Sequence, residues 1–343
     1  MDAALKRTLR TGAALLACFP ALTASAAALP GEYAPCPVAG DATAIGVSAA
    51  SCDDARAVAV ALAATPATDP ATVLRSAGWT PLRAIASDAG TSYDLIATRG
   101  RAALRIHRNG TAPDLDGWSA GRELVFSRGR LVGGGSVPPG SVLCTSSFLV
   151  SLHGHRGGLS AAHCGGLRKD GTTQRRNAAM RRPPQPGIVL GSVQRNVERS
   201  KPLDALVVPI PSGPDRPSAS VIDRGALNAP WFVAGVAKPS PKRRVCFTGR
   251  TSGIDQCGQI VYGSASVANR IASRLAGTHV VCTTITAREG DSGGPVYTAP
   301  AADGSVRAVG VTTLVFGLLR TMCFTPLQPV LDALHAQLVT APA

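Results

Sequence analysis

The chain has 343 residues, enough for one large domain or two modest ones, and is 45% hydrophobic but only 4% aromatic. Its formal net charge of +14 favours anionic surroundings, yet the basic runs Arg168–Arg182 and Lys242–Arg244 interleave no aromatics, which argues against a base-stacking nucleic-acid groove. Beyond the N-terminus no uncharged apolar run reaches the roughly 18 residues of a membrane-spanning helix.

Residues 1–26 read as a secretory signal. Lys6, Arg7 and Arg10 precede an apolar stretch, Gly12 to Leu22, and a small-residue cleavage site, Ala24-Ser25-Ala26. The expected location is extracellular. Leu15-Leu16-Ala17-Cys18 also resembles a lipobox, so a periplasmic or Cys18-anchored protein is the alternative. Export implies an oxidising compartment, and the cysteines agree: of 9, losing Cys18 with the signal leaves eight, an even number. No pair has zinc-ligand spacing, so disulfides are expected and no metal.

Residues 27–130 read as a small α+β unit. Cys52 to Ala64 is Ala-rich behind Asp53-Asp54 and predicts a helix, while Tyr93–Thr98 and Ala103–His107 alternate about Arg99-Gly100-Arg101 as a hairpin does. A Cys36–Cys52 bridge would staple this unit. Asn109-Gly110-Thr111 matches a glycosylation sequon, but Asn-Gly is first a turn dipeptide.

Residues 131–343 change character. Short apolar runs are cut by Gly, Pro and charge: Ser147–Leu152, Ile188–Val193, Leu206–Ile210, Trp231–Val236, Val245–Thr248, Gln259–Tyr262, His279–Ile285, Pro295–Thr298 and Val306–Val315. Their length and spacing predict an antiparallel all-β barrel rather than βαβ units. Leu327, Val330, Leu331, Leu334 and Leu338 repeat at helical spacing and predict a C-terminal helix.

The chemistry centres on Gly290-Asp291-Ser292-Gly293-Gly294-Pro295. A serine hydroxyl needs a base, and the oxyanion of a tetrahedral intermediate needs preorganised donors. Glycines let the backbone turn sharply enough for the N–H groups of Gly290 and Ser292 to face one oxygen, with Asp291 buried and paired to hold the loop. Ser160-Ala161-Ala162-His163-Cys164 supplies a histidine after a strand, and a Cys144–Cys164 bridge would fix its loop. His153 and His155 fall in a hairpin turn. A third member must be a carboxylate that orients His163 and stabilises its imidazolium. Of Asp170, Glu198, Asp204, Asp215, Asp223, Asp255 and Glu289, most sit beside Gly, Pro or charge, as solvated turn residues do. Asp204 differs because it leads into the apolar strand Ala205–Ile210, at whose mouth it can be buried against an imidazole.

The order His, Asp, Ser with these motifs resembles the chymotrypsin superfamily, most of all its bacterial α-lytic protease and streptogrisin branch. The resemblance runs through most of residues 131–343 and implies a double six-stranded antiparallel β-barrel with a C-terminal helix. It implies a serine endopeptidase with the triad His163, Asp204 and Ser292, acting on proteins or peptides without a cofactor, as a monomer after maturation. Leu131-Val132-Gly133-Gly134 stands in the family's mature N-terminal position, behind Arg130 as a basic cleavage point. Residues 27–130 would then be a propeptide, or a retained N-terminal domain. Cys246 to Cys257 looks like the branch's small disulfide loop, and Cys282 and Cys323 would bridge the nucleophile loop to the last barrel segment. Leu327-Gln328-Pro329-Val330-Leu331 matches its C-terminal helix.

Two features depart from the family. The Thr283–Glu289 loop is longer than usual, and Gly310-Val311-Thr312-Thr313-Leu314-Val315 occupies the strand that normally ends Ser-Gly-Gly beside the substrate. Leu314 and Val315 in place of glycines, next to Thr313, would narrow the pocket and favour a small apolar residue before the cut, unless Thr286 and the longer loop reshape it. Two rivals stand beside this reading. Asp332 and His335 follow Ser292 in the order of an α/β-hydrolase triad, although the alternating helices and parallel strands of that fold are missing. A protease-like binding module without catalysis is the other.

Overall fold

The computed structural model describes residues 31–66, 68–87, 89–113, 118–127, 137, 139–166, 177–182, 185–192, 203–210, 220–261, 270–271, 273–274, 279–316 and 321–341. The expected leader with Cys18, the Arg130–Leu131 junction and the carboxylates Asp170, Glu198 and Asp215 lie outside the described residues.

Near the N-terminus come β1 (Ala34–Cys36), β2 (Ala42–Ser48), α1 (Cys52–Ala64), α2 (Pro70–Ser76), β3 (Thr80–Ala86), β4 (Ser92–Arg99) and β5 (Ala102–Asn109). The strands form one antiparallel sheet in the order β1-β2-β5-β4-β3. Helix α1 starts where the Ser51 hydroxyl accepts the Asp54 N–H at 3.1 Å, and Asp53 and Asp54 complement the helix dipole. Its Ala55, Val58, Ala59 and Leu62 share one face and pack on the sheet side carrying Leu95, Ala97, Leu104 and Ile106. Alternation sends Leu82, Ile96 and Ala103 to the other side, where they meet Val221, Ala229, Phe232 and Ala341 of the rest of the chain. Arg83–Asp223 at 2.5 Å, Arg101–Asp303 at 2.8 Å and the Arg224 guanidinium on the Gly31 carbonyl at 2.6 Å pin that junction. Both faces of the sheet are therefore covered.

The remaining strands build the all-β part. Strands β6 (Glu123–Ser127), β7 (Val142–Thr145), β8 (Leu149–Leu152), β9 (His155–Ser160), β10 (Asn177–Arg182), β11 (Gln185–Ser192) and β12 (Leu206–Pro209) form two sheets, β11-β10-β6-β7 and β12-β9-β8, the second extended beside β8 by a C-terminal strand, Ala336–Leu338. Then come β13 (Val221–Ile222), β14 (Trp231–Val236), β15 (Arg244–Gly249), β16 (Gly253–Gln259), β17 (Val281–Cys282), β18 (Pro295–Thr298), β19 (Ser305–Phe316) and β20 (Thr321–Pro326). They form a sheet in the order β13-β14-β19-β18-β15-β16, with β20 pairing β19 and β17. Helix α3 (Leu327–Leu334) and β21 (Ala336–Leu338) end the chain. Among the described residues the pairings of these strands are antiparallel except β14 on β19, which the long excursion through β15–β18 makes possible.

Two details go beyond the sequence reading. Strand β6 precedes the expected boundary at Arg130, yet it pairs with β7 and β10 inside the all-β part. The C-terminal helix stops at Leu334, because His335 takes a left-handed conformation with φ 49°. Leu338 thus continues the helical spacing but sits in β21, paired with β8. Cysteines 36–52, 144–164, 246–257 and 282–323 are joined as disulfides.

Candidate active site

Strand register brings His163 and Asp204 together. In the antiparallel pair β12/β9, Leu206 lies opposite Ser160. Asp204 just before one strand and His163 just after the other therefore share one end of the pair. A short 3-10 turn, Ala162–Gly165, carries His163, and the Cys144–Cys164 bridge ties that turn to β7. Asp204, 6% exposed, accepts the His163 backbone N–H at 2.9 Å on Oδ1 and meets Nδ1 at 2.7 Å with Oδ2. Two bonds to one residue fix both the ring's place and its rotation. Burial by itself would lower the His163 pKa, but the Asp204 charge and hydrogen bond outweigh it and hold it above the ordinary histidine value.

The Ser292 loop is locked against the same segment. Gly293, at φ +89°, has no room for a Cβ, which would lie 2.5 Å from the Thr145 carbonyl oxygen and 2.9 Å from the Ala161 nitrogen. Its N–H donates to Thr312 O at 2.7 Å, and the Thr312 N–H donates to Gly294 O at 2.9 Å, so β19 holds the loop from one side. From the other side the Thr145 N–H donates to Ser292 O at 2.8 Å. Among the described residues, no protein acceptor takes the N–H of Gly290 or of Ser292. Asp291 is 0% exposed and accepts four hydrogen bonds, from the N–H groups of Thr251, Ser252 and Arg288 and from the Ser252 hydroxyl. Its partners are thus N–H and O–H groups; among the described residues no cation pairs with it.

The other expected positions fall as follows. Thr286 is exposed, whereas Thr313 is 6% exposed and shares a 2.7 Å hydroxyl contact with Thr325. Leu314 packs on the Cys282–Cys323 bridge, and Val315 packs in the cluster of Ile285, Ala287 and Met322. Asp223 and Asp255 are not solvated turn residues. Asp223 pairs with Arg83, and Asp255 accepts from Trp231 Nε1, Tyr297 OH and Arg224 Nε at 2.7–2.9 Å. Both are committed to structural bonds, which leaves Asp204 as the described carboxylate bonded to His163. His153 and His155 lie at the β8–β9 turn, and Asp332 accepts from Gln328 on α3 at 2.8 Å. Among the described residues the one parallel strand pair, β14 on β19, falls short of the run of parallel strands alternating with helices that an α/β-hydrolase needs.

Little in the residue pattern marks Thr145, Thr251 and Ser252 as loop holders. Thr145 follows a bridged cysteine, and Thr251-Ser252 lies in the Cys246–Cys257 disulfide loop, which is the one hint available.

No family model and no curated protein matches the chain. Among solved structures it is similar to Thermobifida fusca Protease A, at 23% identity and TM-score 0.43, over 65% of this chain and 99% of that one. It is similar to Nocardiopsis protease (NAPase), at 20% identity and TM-score 0.44, over 65% of this chain and 100% of that one. A glutamic acid specific serine protease matches at 18% identity and TM-score 0.45, over 64% and 100%. Likeness of this degree carries nothing about chemistry, which rests on the site itself.

Proposed function

We propose that the chain is an exported serine endopeptidase of the chymotrypsin-like type, with Ser292 as nucleophile, His163 as general base and Asp204 as its orienting carboxylate. The observation that carries this reading is the pair of bonds from Asp204 to the ring and backbone of His163, on the segment that packs against the Ser292 loop. Ser292 Oγ attacks the scissile carbonyl while His163 Nε2 takes its proton, and Asp204 stabilises the resulting imidazolium. The N–H groups of Gly290 and Ser292 receive the oxyanion. His163 then protonates the leaving amine, and water hydrolyses the acyl-enzyme by the same steps in reverse order of roles. Leu314 and Val315, standing where the proteases that the chain resembles carry glycines, narrow the pocket and favour a small apolar residue before the cut, with Thr286 and Thr313 as further substrate contacts.

A biotinylated fluorophosphonate should label the folded wild type at Ser292, and Ser292→Ala should abolish both label and peptide hydrolysis. Folded wild-type chain that takes no label would overturn the reading and favour a binding module instead. The pH dependence has a defined sign. Catalysis needs neutral His163, whose pKa is raised, so kcat/KM should climb through a limb above the ordinary histidine value of about 6.5. A limb at or below that value, in a full pH profile, contradicts the Asp204–His163 coupling. No helix among the described residues is long and apolar enough to cross a membrane.

A further inference from the structure

We infer that Glu123, Arg250 and Thr145 form a brace that positions the Gly290 N–H, and that the catalytic unit therefore keeps Trp118 and β6 through maturation. This rests on the serine-protease reading and extends it to residues outside the triad.

The brace runs from β6 to the nucleophile loop. Arg250 Nε donates to Glu123 Oε2 at 2.5 Å, with side chains 24% and 14% exposed. The guanidinium lies against Gly290, where a Cβ would come within 2.5 Å of Nη1. The Arg250 backbone N–H donates to Thr145 Oγ1 at 3.1 Å, and that hydroxyl donates in turn to Gly290 O at 2.9 Å. With its own N–H on Ser292 O, Thr145 holds carbonyls on both sides of Asp291. On the preceding peptide, Thr251 Oγ1 donates to Glu289 O at 2.8 Å.

The consequence follows from peptide planarity. In a trans peptide the C=O and N–H point in opposite directions, so holding Glu289 O on Thr251 turns the Gly290 N–H the other way. Holding Gly290 O on Thr145 fixes the next plane. Gly290 sits at φ +93°, a conformation glycine enters and leaves with little penalty, so the orientation of its N–H depends on these clamps. Glu123 matters because it keeps the Arg250 head, and hence the backbone that Thr145 and Thr251 share with it, in one place. Glu123, Arg250 and Thr145 are positioning residues.

Strand β6 is anchored on its N-terminal side as well. Trp118 Nε1 donates to Ser147 O at 2.8 Å, its ring fills the space above Gly158, and the N–H groups of Ala120 and Gly121 donate to Val221 O and Ser146 O at 2.9 and 2.8 Å. Cleavage after Arg130 with loss of what precedes it would strip Glu123 from the loop and remove Leu124 and Phe126, both 0% exposed, from the core they share with Leu149, Leu206 and Val208.

The test measures kcat, KM, inhibition by a peptide aldehyde and fluorophosphonate labelling for Glu123→Gln, Thr145→Val and Thr145→Ser, with thermal melts. An aldehyde forms a hemiacetal whose oxygen occupies the oxyanion site, so its affinity reads that site directly. Losing one such donor outright costs about 10²–10³ in kcat, so Thr145→Val should lose about 100-fold and Glu123→Gln about 10-fold. Aldehyde affinity should fall in parallel, KM should stay within about twofold, and Thr145→Ser should recover most of the loss. Intact mass of the labelled wild-type chain should include Trp118. Wild-type kcat in both Glu123→Gln and Thr145→Val, a change in KM alone, or a labelled active chain starting at Leu131 without residues 118–127 would each overturn the inference. If Thr145→Val does not fold, Glu123→Gln decides it. Absence of label on folded wild type would overturn the protease reading and this inference together; label with unchanged variant kinetics would overturn this inference alone.

Discussion

His163→Ala should lower kcat/KM by about 10⁵-fold and Asp204→Asn by about 10⁴-fold, and the double substitution should cost little more than His163→Ala, because the residues act as a unit. The Asp204→Asn effect has a specific cause here. Asp204 receives two N–H groups at once, the His163 backbone N–H at 2.9 Å and the ring Nδ1 at 2.7 Å. An asparagine has one acceptor oxygen. The backbone N–H cannot do anything but donate, so it claims that oxygen and leaves the amide NH₂ facing Nδ1. Nδ1 must then accept, which puts the ring proton on Nε2, where it can no longer take the proton of Ser292. The geometry survives and the tautomer is wrong. Initial rates on a peptide substrate, with melting curves to verify folding, check this. Asp204→Asn with near wild-type turnover would remove Asp204 from the triad. Asp332→Asn should leave activity unchanged, which separates this triad from the α/β-hydrolase arrangement.

The parts of the fold that were legible in the sequence are those with a continuous apolar core. Trp231–Val236 and Pro295–Thr298 read as strands and are β14 and β18, and the run after Asp204 is β12. Their side chains are buried whatever lies beside them, so composition alone marks them. Strand β6 did not stand out because its apolar core is only Leu124-Val125-Phe126, flanked by Arg122-Glu123 and by the Arg128-Gly129-Arg130 turn chemistry. What makes it a strand is its place between β7 and β10, a long-range fact. Strand β10, Asn177–Arg182, was hidden in the basic run for the same reason. At the C-terminus the helical spacing of Leu334 and Leu338 is real, but the edge of β8 captures Ala336–Leu338 and tertiary pairing overrides the pattern.

The candidate site divides along the same line. Ser292 and His163 sit in local motifs because sharp turns need glycine and small residues at fixed offsets. Asp204 emerged by elimination, partly on a mistaken ground, since Asp223 and Asp255 are not solvated but bonded within the structure. The hydroxyls of Thr145, Thr251 and Ser252 are barely legible because a side chain donating to a distant carbonyl or carboxylate imposes no pattern on its neighbours. The sequence therefore reveals the groups that react more readily than the groups that hold them still.

Asp291 belongs to the second kind, and Asp291→Ala should be the most destabilising single change near the site. The carboxylate is 0% exposed and is the common acceptor for Thr251 N–H at 2.8 Å, Ser252 N–H at 3.1 Å, Ser252 Oγ at 2.5 Å and Arg288 N–H at 2.7 Å. Each donor orphaned in a buried site costs about 1–3 kcal/mol. The four losses do not add fully, because the Ser252 hydroxyl can turn and water can enter the space left behind, so a total of about 3–5 kcal/mol is expected. Asp291→Asn keeps one acceptor oxygen but sets its NH₂ against a backbone N–H, and should cost about 2–3 kcal/mol. Urea unfolding followed by circular dichroism measures both. Catalysis should fail before the fold does. The carboxylate ties the Arg288–Ser292 turn to Thr251 and Ser252, and Thr251 is also the residue whose hydroxyl holds Glu289 O at 2.8 Å. Losing the carboxylate frees both ends of that clamp, so fluorophosphonate labelling should slow by at least about 100-fold in Asp291→Ala under conditions where it remains folded. Stability within about 1 kcal/mol of wild type, or labelling at the wild-type rate, would show that the turn is held by its glycines and by β19 alone.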